Sequence, residues 1–128
     1  MRVANKNIDT KKIEAMFNHP RSWDLCWALD SKTNQPIIFE VKNMDLYYGH
    51  QRTNEELGVK PGMLVKFSVN WLSRKYMDES FWIEVEKMNE DPNGDIQIYG
   101  MCINNTERVS YGSPLGPIRI RNILELGE

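Results

Sequence analysis

The stretch from Lys60 to Ile103, KPGMLVKFSVNWLSRKYMDESFWIEVEKMNEDPNGDIQIYGMCI, decides the fold of this chain. From Met63 to Trp71 large apolar residues occupy every second position, and a period of two is the pattern of a half-buried strand. The alternation returns from Phe81 to Glu86 and from Ile96 to Met101, and Asp91-Pro92-Asn93-Gly94 between them is typical of a hairpin turn. The stretch therefore predicts two antiparallel β-hairpins in series.

On the N-terminal side of this centre, the sequence predicts one helix, one hairpin and one helical turn. The helix is predicted at residues 8–18, because Asp9 can cap it and its apolar residues recur three and four positions apart. Trp23–Leu29 and Ile37–Val41 alternate on either side of a polar turn, which predicts the first hairpin. Thr53–Gly58 combines a capping box with a glycine stop, a pattern that favours a single helical turn.

On the C-terminal side, glycines and prolines from Gly112 to Pro117 predict a loop, and the alternation from Ile118 to Arg121 predicts a last strand. These elements indicate a mainly β (α+β) fold. We expect a strongly bent antiparallel sheet or a small open barrel with one N-terminal helix. The 128 residues form one domain, with the helix at 8–18 and a β-rich body at 23–126. Residues 42–50 follow neither period and are interpreted as a loop.

The edges of such a sheet and the number of large rings bear on assembly. Unpaired edge strands are sticky, and Trp23, Trp71 and Trp82 are many large rings for a small core. Both features predict a homo-oligomer in which an edge is paired or covered.

Charge and hydropathy restrict the partners and the location. Sixteen basic and eighteen acidic side chains leave a net charge of -2, which argues against binding to duplex nucleic acid. No apolar run approaches the length of a membrane span, and the first twelve residues lack the apolar core of a signal peptide. We therefore expect a cytoplasmic protein without a membrane partner, in the host cytoplasm if a phage encodes it. Cys26 and Cys102 lie in apolar strand patterns and are expected to be buried, free thiols.

The residues with catalytic chemistry form no recognisable motif. Neither His19 nor His50 has a further ligand at metal-binding spacing, and the chain holds no Cys-x-x-Cys pair, nucleophile elbow or phosphate-binding glycine loop. The sequence predicts no metal, no cofactor and no enzymatic activity. A nucleophile pair of Cys26 and His50 stays open as an alternative, because such pairs are spatial rather than sequential.

The C-terminal half carries a resemblance to a known family. Its residues are the strand Val59–Phe67, the aromatic-Trp-Ile-Glu-Val strand within Glu79–Val85, the strand Asp95–Gly100 and the last strand at Ile118–Ile120, which follows a turn with Asn104. This order is similar to that of the YegJ-like small bacterial proteins, whose function is unknown. A fainter similarity of size, sheet content and aromatic, Arg and Asn residues is to phage anti-defence nucleotide sponges of the Thoeris-countering kind. That similarity implies an oligomer that sequesters a cyclic nucleotide signal.

Aromatic and basic side chains provide the candidate binding site. Trp82 shares a strand face with Glu84, an unusual place for a large ring, and Phe81 or Trp82 could stack on a base. Arg119 and Arg121 would share a face of the last strand, and guanidinium groups bind phosphate through paired hydrogen bonds. Alternatively, Trp82 packs at a covered surface and the arginines form a solvated edge that deters aggregation.

Three residues of the turn that precedes the last strand are also part of the predicted binding site. Arg108 is expected to hold phosphate together with the other two arginines, and Asn104 and Asn105 could read base or ribose edges. Turn asparagines are also common for their backbone geometry alone. The predicted ligand-binding residues are Phe81, Trp82, Asn104, Asn105, Arg108, Arg119 and Arg121.

The sequence thus predicts a non-enzymatic, oligomeric binding protein for a small anionic ligand such as a nucleotide or a cyclic nucleotide signal. The alternative is a protein–protein interaction module that uses an aromatic sheet face.

Overall fold

The computed structural model describes residues 24–71, 78–90, 94–104, 106 and 108–127. The helix expected at 8–18 and the side chain of Asn105 lie outside these residues. The elements are β1 (Leu25–Leu29), β2 (Pro36–Val41), α1 (Asp45–Tyr48), α2 (Asn54–Leu57), β3 (Leu64–Trp71), β4 (Asp78–Glu90), β5 (Ile96–Cys102), β6 (Pro114–Arg119), a 3₁₀ turn (Ile120–Asn122) and β7 (Glu125–Leu126).

The three predicted hairpins are present and pair antiparallel. Alternating apolar residues keep the register of β3 against β4, where Val65 faces Ile83 and Phe67 faces Phe81. Strand β4 is longer than predicted and continues to Glu90 along β5, across a β-bulge that follows Val85.

The strands of the described residues close into a barrel. The order β2-β1-β6-β5-β4-β3 returns to β2, because Phe39 pairs with Trp71 and Val41 pairs with Val69. The short strand β7 adds to β3 beside this closure. The mainly β prediction is confirmed, but the expected open sheet edges are wrong, since closure pairs both sides of the sheet.

Side chains from alternate positions fill the barrel interior. Phe81 packs edge-to-face on Phe67 and Phe39, with ring centroids 5.6 and 6.1 Å apart. Such pairs add roughly 0.5–1.5 kcal/mol each to the free energy of burial. Cys26 and Cys102 are free and fully buried, as expected.

The C-terminal segment differs from its prediction. Strand β6 begins at Pro114, within the stretch interpreted as a loop, and Arg121 lies in the 3₁₀ turn rather than in a strand. The prolines are tolerated because β6 is paired sparsely here: the Cα register with β1 is Trp27 to Gly116, and the pairing with β5 is interrupted by a bulge.

Two short helices lie between β2 and β3. α1 falls in the segment interpreted as a loop, and α2 confirms the predicted helical turn. The capping box is wrong, because the Thr53 side chain makes no cap hydrogen bond; instead Asn54 Oδ1 accepts a hydrogen bond from the Val59 N–H at 2.8 Å. None of the helices among the described residues is both long and apolar enough to cross a membrane.

Candidate anion-binding site

The predicted stacking residues lie on opposite faces of β4. Phe81 is fully buried in the barrel, so it offers no ring face to a base and that part of the hypothesis is wrong. Trp82 is half-buried on the outer face, where Lys66 Nζ lies 5.8 Å from its ring centroid. The ring lines a groove of about 560 Å³ that also contacts β7.

Of the predicted turn residues, Asn104 also lines that groove. Asn104 Oδ1 accepts a hydrogen bond from the Trp82 backbone N–H, so this side chain fixes the turn against β4. The carbonyl of Arg108 accepts a hydrogen bond from the Ser31 N–H at 2.7 Å, beyond the end of β1. The two ends of β1 are marked by Asp24 and Asp30. These residues are six positions apart, a distance of about 20 Å along a strand.

Arg119 and Arg121 lie together at the Asp24 end of β1. Arg119 is the last residue of β6, where it faces Gln97 of β5, and Arg121 follows in the 3₁₀ turn. Both line a pocket of about 120 Å³. The structure therefore brings these two arginines together as predicted, although not on one strand face. Trp82 and Asn104 line a different groove, and Arg108 lies beyond the opposite end of β1.

A third arginine lines the same pocket. Arg52 lies between α1 and α2, is 9% exposed, and was not among the predicted residues. The segment around it has neither a helix nor a strand period, and no local sequence signal connects it with residues some seventy positions away. We refer to the pocket formed by Arg52, Arg119 and Arg121 as the arginine pocket.

Arg52 is held in place from three sides. Its Nη2 donates to the carbonyl of Arg121 at 3.1 Å and also to the carbonyl of Ile123. Its Cζ lies 3.7 Å from the centroid of the Tyr48 ring, a close cation–π contact. Tyr48 is fixed in turn, because its hydroxyl donates to the carbonyl of Leu124 at 2.6 Å. The guanidinium is therefore pre-organised, while its buried Nε has no hydrogen-bond partner among the described residues.

Two carboxylates lie near the arginines as ion-pair partners. Arg119 Nη1 lies 3.7 Å from Asp95 Oδ2, and Arg121 Nη1 lies 3.9 Å from Asp45 Oδ2. Both distances exceed the 2.7–3.2 Å or so of a good N–H···O hydrogen bond. Each of these contacts is thus a loose ion pair.

The electrostatics of Arg119 show how concentrated this charge is. Its side chain is 2% exposed, and burial lowers its pKa to about 10. The neighbouring charge of Arg121 contributes to this lowering of the pKa, whereas Asp24 opposes it. Arg119 stays charged at neutral pH, and a bound anion would relieve both the desolvation and the repulsion.

The structure does not assemble the alternative nucleophile pair. Cys26 is fully buried in the barrel, where burial raises the pKa of its thiol, and it donates weakly to the Trp27 carbonyl. His50 is exposed and lies 2.9 Å from Glu56. Within the described residues, no three His, Cys, Asp or Glu side chains form a cluster that could hold a metal ion.

Comparison with protein-family models, curated proteins and solved structures found no match to this chain. The resemblances to YegJ-like proteins and to anti-defence sponges therefore stay predictions from the sequence. Function has to be argued from the arginine pocket itself.

Proposed function

We propose that this protein is a non-enzymatic binding protein that holds the phosphate or carboxylate group of a small anionic ligand in the arginine pocket. The observation that carries the proposal is the convergence of Arg52, Arg119 and Arg121 on one pocket, with Arg52 anchored by backbone carbonyls and by Tyr48. Pre-organised guanidinium groups bind such anions through charge-assisted, often bidentate hydrogen bonds.

The size of the pocket limits what it takes. Sites for whole drug-sized ligands have volumes of roughly 300–1,000 Å³. A pocket of about 120 Å³ instead suits one anionic group, with the rest of the ligand lying on the surface outside. The proposal therefore concerns a compact anion that is attached to a larger molecule.

The test measures anion binding by calorimetry on wild type and on three lysine variants. Arg52→Lys, Arg119→Lys and Arg121→Lys keep the charge but lose bidentate geometry, so phosphate and nucleotide affinity should fall several-fold. Arg108→Lys is the matched control, because Arg108 lies at the opposite end of β1 and its substitution should leave the affinity unchanged.

Two results would contradict the proposal. The first is the absence of binding heat for inorganic phosphate, sulfate and nucleotides with the wild-type protein. The second is unaltered affinity in all three pocket variants. In that case the arginines serve with Asp45 and Asp95 as a structural ion-pair network.

A second candidate function is supported by the groove at Trp82. Leu64, Trp82, Ile103 and Leu126 give this groove an apolar lining, and Leu126 is 36% exposed. One edge of β7 is hydrogen-bonded to β3, and this strand is only two residues long. An aromatic groove beside a short strand suits a protein partner, and we propose a second copy of this chain as that partner.

We also propose a cytoplasmic location. The support is the thiol state: Cys26 and Cys102 are both free and buried, a use of cysteine that is common in reducing compartments.

A further inference from the structure

The most exposed of the large hydrophobic side chains in the described residues lies beside the arginine pocket. Tyr47, in α1, is 74% exposed. Its ring packs edge-to-face on Tyr48 with the centroids 4.8 Å apart and an interplanar angle of 79°. An exposed ring held in one orientation is a ready stacking surface, because little entropy is lost when a second ring lies on it.

Tyr48 links this ring to the arginine pocket. The Tyr47 and Tyr48 centroids are 4.8 Å apart, and Arg52 Cζ lies 3.7 Å from the Tyr48 centroid. The two distances add to at most 8.5 Å between the Tyr47 ring centre and the Arg52 guanidinium. A ribose with its phosphoester links a base to a phosphate over this kind of span.

We infer that the ligand is a nucleotide whose phosphate binds in the arginine pocket and whose base stacks on Tyr47. The inference rests on the proposed function and adds the class of ligand. It also replaces Phe81 and Trp82 as the stacking residues, since Phe81 is buried and Trp82 lines a different groove from the arginine pocket. Base stacking tolerates any base, so Tyr47 by itself favours no particular one.

The experiment compares inorganic phosphate, ribose 5-phosphate and AMP by calorimetry on wild type, Tyr47→Ala and Tyr47→Phe. Wild type should bind AMP about ten-fold or more tightly than ribose 5-phosphate, the fold-change that corresponds to one stacked base. Tyr47→Ala should bring AMP affinity down to that of ribose 5-phosphate and leave inorganic phosphate unchanged. Tyr47→Phe is the matched control and should keep the AMP affinity, because the ring alone does the stacking.

The outcomes separate this inference from the function on which it rests. Equal affinity of wild type for AMP and ribose 5-phosphate overturns the nucleotide inference and leaves the anion-binding proposal in place. AMP binding that is tighter than that of ribose 5-phosphate but insensitive to Tyr47→Ala overturns the role of Tyr47. No binding of any of the three compounds overturns the proposed function and the inference together.

Discussion

Gln97 is a buried polar residue without a satisfied side chain. It is 1% exposed, and neither Nε2 nor Oε1 has a hydrogen-bond partner in the described part of the chain. An unsatisfied buried polar group costs roughly 1–3 kcal/mol. Gln97→Met has a similar shape and removes this cost, so we expect the free energy of unfolding to rise by about 1 kcal/mol in urea denaturation. The exposed Gln35→Met should stay within about 0.5 kcal/mol of wild type, and a destabilised Gln97→Met would contradict the argument.

His50 and Glu56 form an exposed pair whose protonation depends on pH. The hydrogen bond that the His50 ring donates to the Glu56 carboxylate raises the pKa of His50 above 6.5, with a smaller contribution from the Tyr48 carbonyl. The same bond lowers the pKa of Glu56 below 4.5. The contribution of His50 to stability is present below pH 6.5 and is lost as pH rises through its raised pKa. The contribution of Glu56 is present above pH 4.5 and is lost as pH falls through its lowered pKa.

The pair is therefore strongest between pH 4.5 and 6.5. An NMR titration of the His50 ring should show a pKa above 6.5 in wild type. Glu56→Gln should shift that pKa back toward 6.5, because the carboxylate is the main cause of the shift. A His50 titration that does not respond to Glu56→Gln would refute the contact.

Among the elements, the hairpins were predictable and β6 was not. β3 and β4 follow from a period of two and a turn between them, which local sequence displays directly. In β6, Pro114, Gly116 and Pro117 imitate a loop, and only sparse pairing with β1 and a bulge beside β5 make a strand of them. Tertiary pairing of this kind leaves no local pattern.

The candidate site was predictable to the same limited extent. Arg119 and Arg121 were found because they are close in sequence and chemically distinctive. Arg52 was missed, because its place in the site depends on carbonyls at Arg121 and Ile123 that only the folded chain brings to it.

The backbones of the paired strands β4 and β5 lie so close together that there is no room for a side chain at Gly100. A Cβ at this position would lie 2.3 Å from the backbone oxygen of Glu84, and backbone cannot rotate away as a flexible side chain can. Gly100→Ala should therefore lower the free energy of unfolding by about 1–3 kcal/mol in urea denaturation. Ser80→Ala, on the same sheet at an exposed position, is the control and should be close to neutral. A wild-type midpoint for Gly100→Ala would show that the two strands separate easily.

At the scale of the whole molecule, closure of the barrel removes one of the two reasons for expecting an oligomer. The other reason is the number of large rings, and one of them, Trp82, lines a groove next to the exposed Leu126. We expect light scattering at micromolar concentration to give at least twice the 15.0 kDa of one chain. Leu126→Glu should reduce this mass to that of a single chain, because it places a charge in the apolar groove.

Ile38→Glu is the matched control for this measurement, since Ile38 is 42% exposed on β2 and outside the groove. It should leave the mass unchanged. A wild-type mass of 15.0 kDa across this range would exclude self-association, and dissociation by Ile38→Glu alone would place the interface on β2.

The pairing of β1 with β6 has a consequence for synthesis of the protein. Trp27 and Gly116 meet in the barrel although 89 positions separate them in the chain. Contacts at such separation are slow to form, because the entropy of ordering the intervening chain is lost before the contact is made. During translation, β1 leaves the ribosome long before β6 has been synthesised. Its edge toward β6 therefore stays unpaired during that time. The hairpins can form in turn as they emerge, but the barrel can close only after β6 has been synthesised.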